Sequence, residues 1–370
     1  MTLITLILVL GILIFFHELG HFIFAKKYGV YVYEFALGMG PKIFSFKRKD
    51  KNDPTLYSLR LLPIGGFCAM AGEVDEDDDT IKKDQFMCNK TKFQRFMILI
   101  SGVMFNIILA IILLFLHGYI WGHPEQKPVI GVVTEDKPIA NAGITVGDEV
   151  LKLNGYKINS WDKLMIVLNF KNKDNIYEFE IKKQDGSIKT YEITPEIIKD
   201  EDDNETKMFG FGVGEELNTG FISSVKYAFT KLWSVLASMA IIISSLFTGK
   251  LSMSSLAGPV GMYSLVGEVV GLGKMSQIMQ TLVYFTAYLS VNLAFINAIP
   301  FPAFDGGRIL FIGIEAITKK PVNKNIEATL HTIGFILLMI LMLYITINDV
   351  LRLRWNFSCK KTRLMIIYKV

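Results

Sequence analysis

Cysteine is scarce in this chain: Cys68, Cys88 and Cys359 are the only three in 370 residues, and no two share a motif spacing. That excludes a disulfide scaffold and a thiolate metal site. Histidine is nearly as rare, with five in the whole sequence, so two of them at short spacing carry information. Charge of either sign is missing from Thr2 to Phe16. No basic segment precedes this first apolar run, which argues against a cleaved signal peptide. Nor does any basic tract interleave with aromatics, and the net charge of +4 is modest, so no nucleic-acid partner is expected.

What is present is apolar. Hydrophobic residues make up 51% of the chain, phenylalanine alone numbers 27, and the mean hydropathy is +0.38. These values lie outside those of an ordinary soluble domain. A bilayer crossing needs roughly 20 apolar residues, and residues 2–25, 96–120, 282–299 and 333–347 are the candidate spans. The shorter stretch 232–247 carries Ser234, Ser238, Ser244 and Ser245 and reads as an interfacial or re-entrant amphipathic helix. The expected fold class is an α-helical multi-pass membrane protein with about four transmembrane helices. Lys26, Lys27, Lys42, Lys47, Arg48, Lys49 and Lys51 follow the first span, and Lys90, Lys92 and Arg95 precede the second. The positive-inside rule then puts residues 26–95 in the cytoplasm and 121–225 outside.

Inside the first span stands His17-Glu18-Leu19-Gly20-His21. Ionisable groups at membrane depth cost about 2.5–3.5 kcal/mol each, so they persist when they have partners. Histidines at i and i+4 share one helical face, and H-E-x-x-H on a helix is an arrangement that holds zinc beside a general base. The other reading is a helix whose histidines bond to neighbouring helices or to interfacial water. Zinc on two histidines needs a third protein ligand. Asp305 is a candidate, in Asn297-Ala-Ile-Pro300-Phe-Pro302-Ala-Phe-Asp305-Gly306-Gly307-Arg308. The two prolines break a helix there and the glycines permit a sharp turn. Irregular backbone at membrane depth must be buried in protein or line a cavity. Taken alone, Asp305 reads equally well as a ligand or as a helix-end cap. As a ligand it needs the third span to run from outside to inside.

H-E-x-x-H in the first span with N-x-x-P-x-P-x-x-D-G in a later one resembles the site-2 protease family of intramembrane metalloproteases, most closely its bacterial RseP-type branch. The similarity covers about residues 1–350. Pro63-Ile64-Gly65-Gly66-Phe67, Gly102 with Asn106, and Ser255-Leu-Ala-Gly258-Pro259-Val260-Gly261 match the branch too, while Phe304 stands where the family usually has leucine. The resemblance implies one catalytic Zn2+ on His17, His21 and Asp305, with Glu18 activating water. It implies substrate contacts at Asn297, Pro300, Pro302, Gly65 and Gly66. The implied substrates are single-span membrane proteins, such as anti-sigma factors or signal-peptide remnants. The implied setting is the lipid bilayer of the cell membrane, with the active site near the cytoplasmic face.

Between the spans, Ala142-Gly143-Ile-Thr-Val-Gly147-Asp148-Glu-Val150-Leu-Lys-Leu153-Asn154-Gly155 resembles a bacterial PDZ domain. Such a domain takes a peptide C-terminus or strand at a sheet edge; the alternative is a steric cap without a ligand. Glycine- and proline-punctuated runs over 31–72 are expected to form a membrane-associated β-hairpin on the cytoplasmic side, whose edge could pair with an unwound substrate. The expected organisation is an N-terminal membrane half (1–120), an extracytoplasmic PDZ-like β-rich domain (121–215) and an interfacial amphipathic region (216–278). A C-terminal membrane half (279–350) and a basic tail (351–370) follow. The acidic run 73–79 reads as a solvated loop. One rival is a non-catalytic PDZ-containing membrane scaffold or chaperone, which would lack one of His17, Glu18, His21 and Asp305. Another is a metal transporter, which would need ionisable groups in the second and fourth spans, and those are nearly bare.

Overall fold

A computed structural model describes residues 1–48, 55–73, 80–124, 127–170, 175–199, 205–214, 217–250, 258–271 and 273–356. In chain order the helices are α1 (Thr2–Lys27), α2 (Lys92–Trp121), α3 (Pro138–Asn141), α4 (Trp161–Leu168), α5 (Phe221–Phe247), α6 (Pro259–Val270), α7 (Met275–Ala298), α8 (Asp305–Thr318) and α9 (Lys324–Asn356). The strands are β1 (Val32–Lys47), β2 (Leu56–Met70), β3 (Val132–Val133), β4 (Glu149–Leu153), β5 (Tyr156–Lys157), β6 (Tyr177–Lys182), β7 (Ile188–Ile193), β8 (Glu196–Lys199), β9 (Glu205–Met208) and β10 (Phe211–Gly212). The chain forms two compact units, Met1–Leu113 with Leu265–Leu343, and Leu114–Ser264 with the stretch from Tyr344 onward.

In the first unit, α1 is apolar on all sides up to His17, and Lys26 and Lys27 in its last turn complement the helix dipole. Val9 and Leu13 of α1 pack with Leu109 of α2 and with Phe285, Leu289 and Leu293 of α7. Further along α1, His17 meets Asn106 and His21 meets Ile98, so α2 runs antiparallel to α1. Ser290 of α7 donates to the Asn106 carbonyl at 2.8 Å, and α7 leads on to Asp305 beside His17 and His21. It therefore runs parallel to α1. At the other end of α8, the buried carboxylate of Glu315 accepts from Arg95 at 2.7 Å and its carbonyl from Lys92 at 2.6 Å, which ties α8 to the start of α2.

The expected β-hairpin is present but doubled back on itself. Residues of β1 from Glu34 to Leu37 pair on one side with 56–59 and on the other with 66–69, while 42–47 pair with 56–60. The result is four antiparallel segments in the order 42–47, 56–60, 32–37, 66–70. Both strands bend, β1 near Gly38 and Gly40 and β2 near Gly65, all at positive φ. Gly66–Met70 thus forms one outer segment. Glu34 pins the interior register, accepting from Ser58 and from Arg60 at 2.8 Å.

The second unit holds a four-stranded antiparallel sheet, β5-β4-β6-β7, with the pairs β3–β10 and β8–β9 beside it. Its core is Val150, Leu153, Leu164, Tyr177, Phe179 and Ile181 with their neighbours. Strand β6 shows the period-2 pattern responsible, with Tyr177, Phe179 and Ile181 buried and Glu178 exposed. Asn154-Gly155 makes the tight β4–β5 turn, both residues at positive φ, as the dipeptide predicts. Helix α5 docks on α4 through Lys231 to Asp162 and Ser234 to Asp162, each at 2.7 Å.

Among the described residues five helices are long and apolar enough to cross a membrane, which makes this a multi-pass membrane protein. That count is one more than expected, because α5 begins at Phe221 and not at Leu232. The acidic residues 74–79, the segment 255–257 and the tail from 357 lie outside the described residues.

The charge pair of the second unit yields a test. Asp148 is buried and accepts from the Thr145 amide at 2.8 Å and from Lys183 at 2.7 Å. Burial works against the Lys183 ammonium, but the hydrogen bond and charge of Asp148 outweigh it and raise its pKa. Its contribution to stability is complete below the unfolded value of about 10.4 and fades as pH rises through the higher folded value. Asp148→Asn should lower the stability of this unit by about 1–3 kcal/mol, read as a shift in its thermal unfolding. The gap from wild type should shrink as pH rises through the raised Lys183 titration.

Candidate metal centre

The centre begins with an unusually close contact between α1 and α2. A methyl group at Gly20 would lie 2.4 Å from the Ser101 carbonyl oxygen, and one at Gly102 would lie 2.4 Å from His21 Nε2 and 2.8 Å from His17 Cε1. Only glycine at both positions lets the imidazoles lie against the backbone of α2. His21 is almost fully buried, and its Nδ1 donates to the Ile98 carbonyl at 2.8 Å. That bond places the ring proton on Nδ1 and leaves Nε2 unprotonated beside His17 and Asp305.

Asp305 arrives from the far end of the sequence. Helix α7 stops at Ala298, and the segment through Pro300 and Pro302 turns before α8 starts at Asp305. Ala303 sits at φ +86°, and its amide donates to His331 Nδ1 at 3.0 Å, so α9 fastens the bend. The carboxylate stands in the first turn of α8, where the helix dipole favours a negative charge. One turn on, Arg308 pairs with Glu73 just beyond β2.

Asp305 Oδ2 lies 3.2 Å from His17 Nε2 and 3.3 Å from His21 Nε2, and the two nitrogens are 3.2 Å apart. Among the described residues this is the one cluster of three or more potential metal ligands. Tetrahedral zinc with bonds of 2.0–2.1 Å requires ligand atoms about 3.3–3.4 Å apart, and this nearly equilateral triangle fits that requirement. Asp305 Oδ2 is also buried without a hydrogen-bond donor. Three inward lone pairs at this separation repel one another unless a cation or protons sit among them.

Glu18 lies in the field of His17, His21 and Asp305, and a methyl at Gly66 of β2 would come 3.4 Å from its Cγ. The structure thus brings together His17, His21 and Asp305, with Glu18 and Gly66 beside them. Asn297 is half-buried on the last turn of α7, Pro300 is exposed, and Pro302 is half-buried. These three belong to the bend that delivers Asp305 and are not part of the donor triangle. Gly65 makes the turn into the Gly66–Met70 segment. His331 makes a structural contact, accepting from the Ala303 amide. Sequence reasoning overlooked Ser290 and singled out Asn106 only through the family resemblance; the i, i+4, i+8 spacing of Ile98, Gly102 and Asn106 on α2 was the available signal.

Comparison with known proteins identifies the family. The profile described as peptidase family M50 matches residues 5–341. The chain is 32% identical over 429 residues to the "Regulator of sigma-W protease RasP" of Bacillus subtilis, covering 95% of this chain and 99% of that protein. It is 33% identical over 430 residues to the "Zinc metalloprotease RasP" of Bacillus licheniformis, with the same coverage. To the protein of that name from Geobacillus kaustophilus it is 30% identical over 424 residues, covering 94% of this chain and 97% of the relative. The chain belongs to peptidase family M50, the site-2 proteases, and is a zinc metalloendopeptidase.

Gly102 tests the role of the helix contact. Gly102→Ala should displace both imidazoles and lower zinc affinity at least tenfold, measured by chelator competition on the purified protein. Gly11→Ala, on the same pair of helices but with nothing within 4 Å of the added methyl, should leave it unchanged.

Proposed function

We propose that this M50 metalloendopeptidase hydrolyses peptide bonds of single-span membrane proteins within the bilayer, holding one zinc on His17, His21 and Asp305 and using Glu18 as general base. The observation that carries the reading is the donor triangle, with Glu18 beside it. Bound zinc supplies Lewis acidity toward the scissile carbonyl and the attacking water. Glu18 takes the proton from that water as its oxygen bonds to the carbonyl carbon. As the C–N bond breaks, Glu18 returns the proton to the leaving amine. Its position one residue after His17, on the same turn of α1, keeps the base within reach of the metal ligands.

A helical substrate has its scissile carbonyl tied up in i to i+4 bonding and must unwind locally before cleavage. The outer segment Gly66–Met70 supports a strand-pairing role for the sheet, since it begins beside Glu18 and is bonded on one side only by β1. Gly65 and Gly66 would then border the extended substrate. Asn297, Pro300 and Pro302 would approach it from the opposite bend. One relative's name ties it to sigma-W, which supports anti-sigma factors as a substrate class, alongside signal-peptide remnants.

The Lys and Arg flanks favour a cytoplasmic position for the centre and an extracytoplasmic one for the β-rich region 121–215, read as a PDZ-like domain that takes a peptide C-terminus or strand. Because α2 leaves the centre and α7 returns to it, residues 122–274 must contain an even number of crossings. Helix α6, with 12 residues, is too short to be one. Helix α5 therefore lies at the interface or re-enters, leaving four crossings in the cell membrane.

Reconstitution with a model single-span substrate tests the assignment. Glu18→Gln should lower the cleavage rate by 10²–10⁴-fold while retaining zinc, and Asp305→Ala should lose zinc. Equal cleavage by wild type and Glu18→Gln, or unchanged zinc in Asp305→Ala, would refute it. Gly66→Val, which puts side-chain atoms against Ile14 and Glu18, should raise KM or slow turnover without removing zinc, measured in the same vesicles.

A further inference from the structure

We propose that Asn106 is a positioning residue for the metal centre, its side-chain oxygen accepting the Nδ1 proton of His17 and thereby setting that ring as an Nε2 ligand. The inference rests on the reading of His17, His21 and Asp305 as zinc ligands. His17 Nε2 belongs to the donor triangle, 3.2 Å from both Asp305 Oδ2 and His21 Nε2. To ligate through Nε2 a neutral imidazole must carry its proton on Nδ1, and that proton needs an acceptor. The group facing His17 Nδ1, at 3.3 Å, is the Asn106 amide, presented through its nitrogen Nδ2. An amide nitrogen can only donate, which would demand an unprotonated Nδ1 and put the proton on Nε2, inside the triangle. In that orientation Asn106 Oδ1 is buried without any hydrogen-bond partner, on a residue with no exposed surface.

A half-turn of the amide plane exchanges oxygen and nitrogen without moving the rest of the side chain. It gives the His17 Nδ1 proton its acceptor and ends the isolation of Oδ1 from any donor. The other histidine shows the same logic already in place, since His21 Nδ1 donates to the Ile98 carbonyl. Ile98, Gly102 and Asn106 follow one another at i, i+4 and i+8 on a single buried stripe of α2. One stripe therefore does three things: Ile98 orients His21, Gly102 makes room for both rings, and Asn106 orients His17. Ser290 of α7 donates to the Asn106 backbone carbonyl at 2.8 Å, which holds this part of α2 in place.

The substitutions separate acceptor from donor. Asn106→Asp keeps an oxygen toward His17 and loses the donor; Asn106→Leu has the shape of asparagine and neither function. Dissociation constants for Zn2+, measured by chelator competition on the full chain in detergent, should rise 10–100-fold in Asn106→Leu and stay within about threefold of wild type in Asn106→Asp. With Co2+ as probe, the visible ligand-field bands should shift in the leucine variant and persist in the aspartate variant. Wild-type affinity in Asn106→Leu would overturn the proposal, and so would an aspartate variant as weak as the leucine one. If the leucine variant fails to fold, judged by thermal unfolding without metal, the aspartate variant decides alone: near-wild-type affinity supports the proposal and a tenfold loss overturns it. His17→Ala serves as the reference for the ligand reading. Should it bind zinc normally, the metal assignment fails; should it lose zinc while Asn106→Leu does not, only the role of Asn106 fails.

Discussion

The convergence of three lone-pair donors, His17 Nε2, His21 Nε2 and Asp305 Oδ2, within 3.3 Å of one another is the constraint on which the first unit is organised. Nothing in an apolar helix bundle would hold such groups together for packing's sake, because each is expensive to bury without a partner. The surroundings are shaped to bring them in. Glycines at 20 and 102 let α1 and α2 approach until side chain meets backbone. Two prolines end α7 so that α8 can start with a carboxylate, and His331 of α9 secures the bend.

In the function proposed above, the doubled sheet answers a different need. A protease acting on helical substrates must offer hydrogen bonds to a chain that gives up its own, and a free strand edge is the cheapest source of them. Folding β1 and β2 back on themselves puts one outer segment, Gly66–Met70, next to Glu18. The side chains of the intervening segments are locked by Glu34, Ser58 and Arg60. Ile43, Phe44, Leu61 and Leu62 stand exposed on this sheet, an apolar surface on β segments too short to span a bilayer.

Much of the architecture was legible before any coordinates. The apolar runs marked four of the long helices to within several residues, apart from the extra turns of α7 and α9. The apolar-charged alternation of Tyr177–Ile181 is itself a strand signal for β6, and Asn154-Gly155 a turn signal for the β4–β5 hairpin. The extent of α5 was not legible, because its first eleven residues mix Lys226 and Lys231 with aromatic groups whose partners are distant in sequence, Phe221 on Phe115 and Tyr227 on His117 and His123. Amphipathic character shows in a sequence, but which surface a helix covers does not.

At the centre the division follows the range of the interaction. His17, Glu18 and His21 lie within two turns of one helix, so backbone geometry alone sets their shared side of α1, and the sequence determined that arrangement by itself. Asp305 as their partner was a candidate in the sequence that read equally as a helix cap. Only the packing of α7 parallel to α1, and the bend after Ala298, brings its carboxylate to the two imidazoles. The doubled sheet and the place of Asn106 behind His17 are of the same kind. They depend on how distant segments fill space against each other, and that is a property of the folded chain that no local spacing encodes.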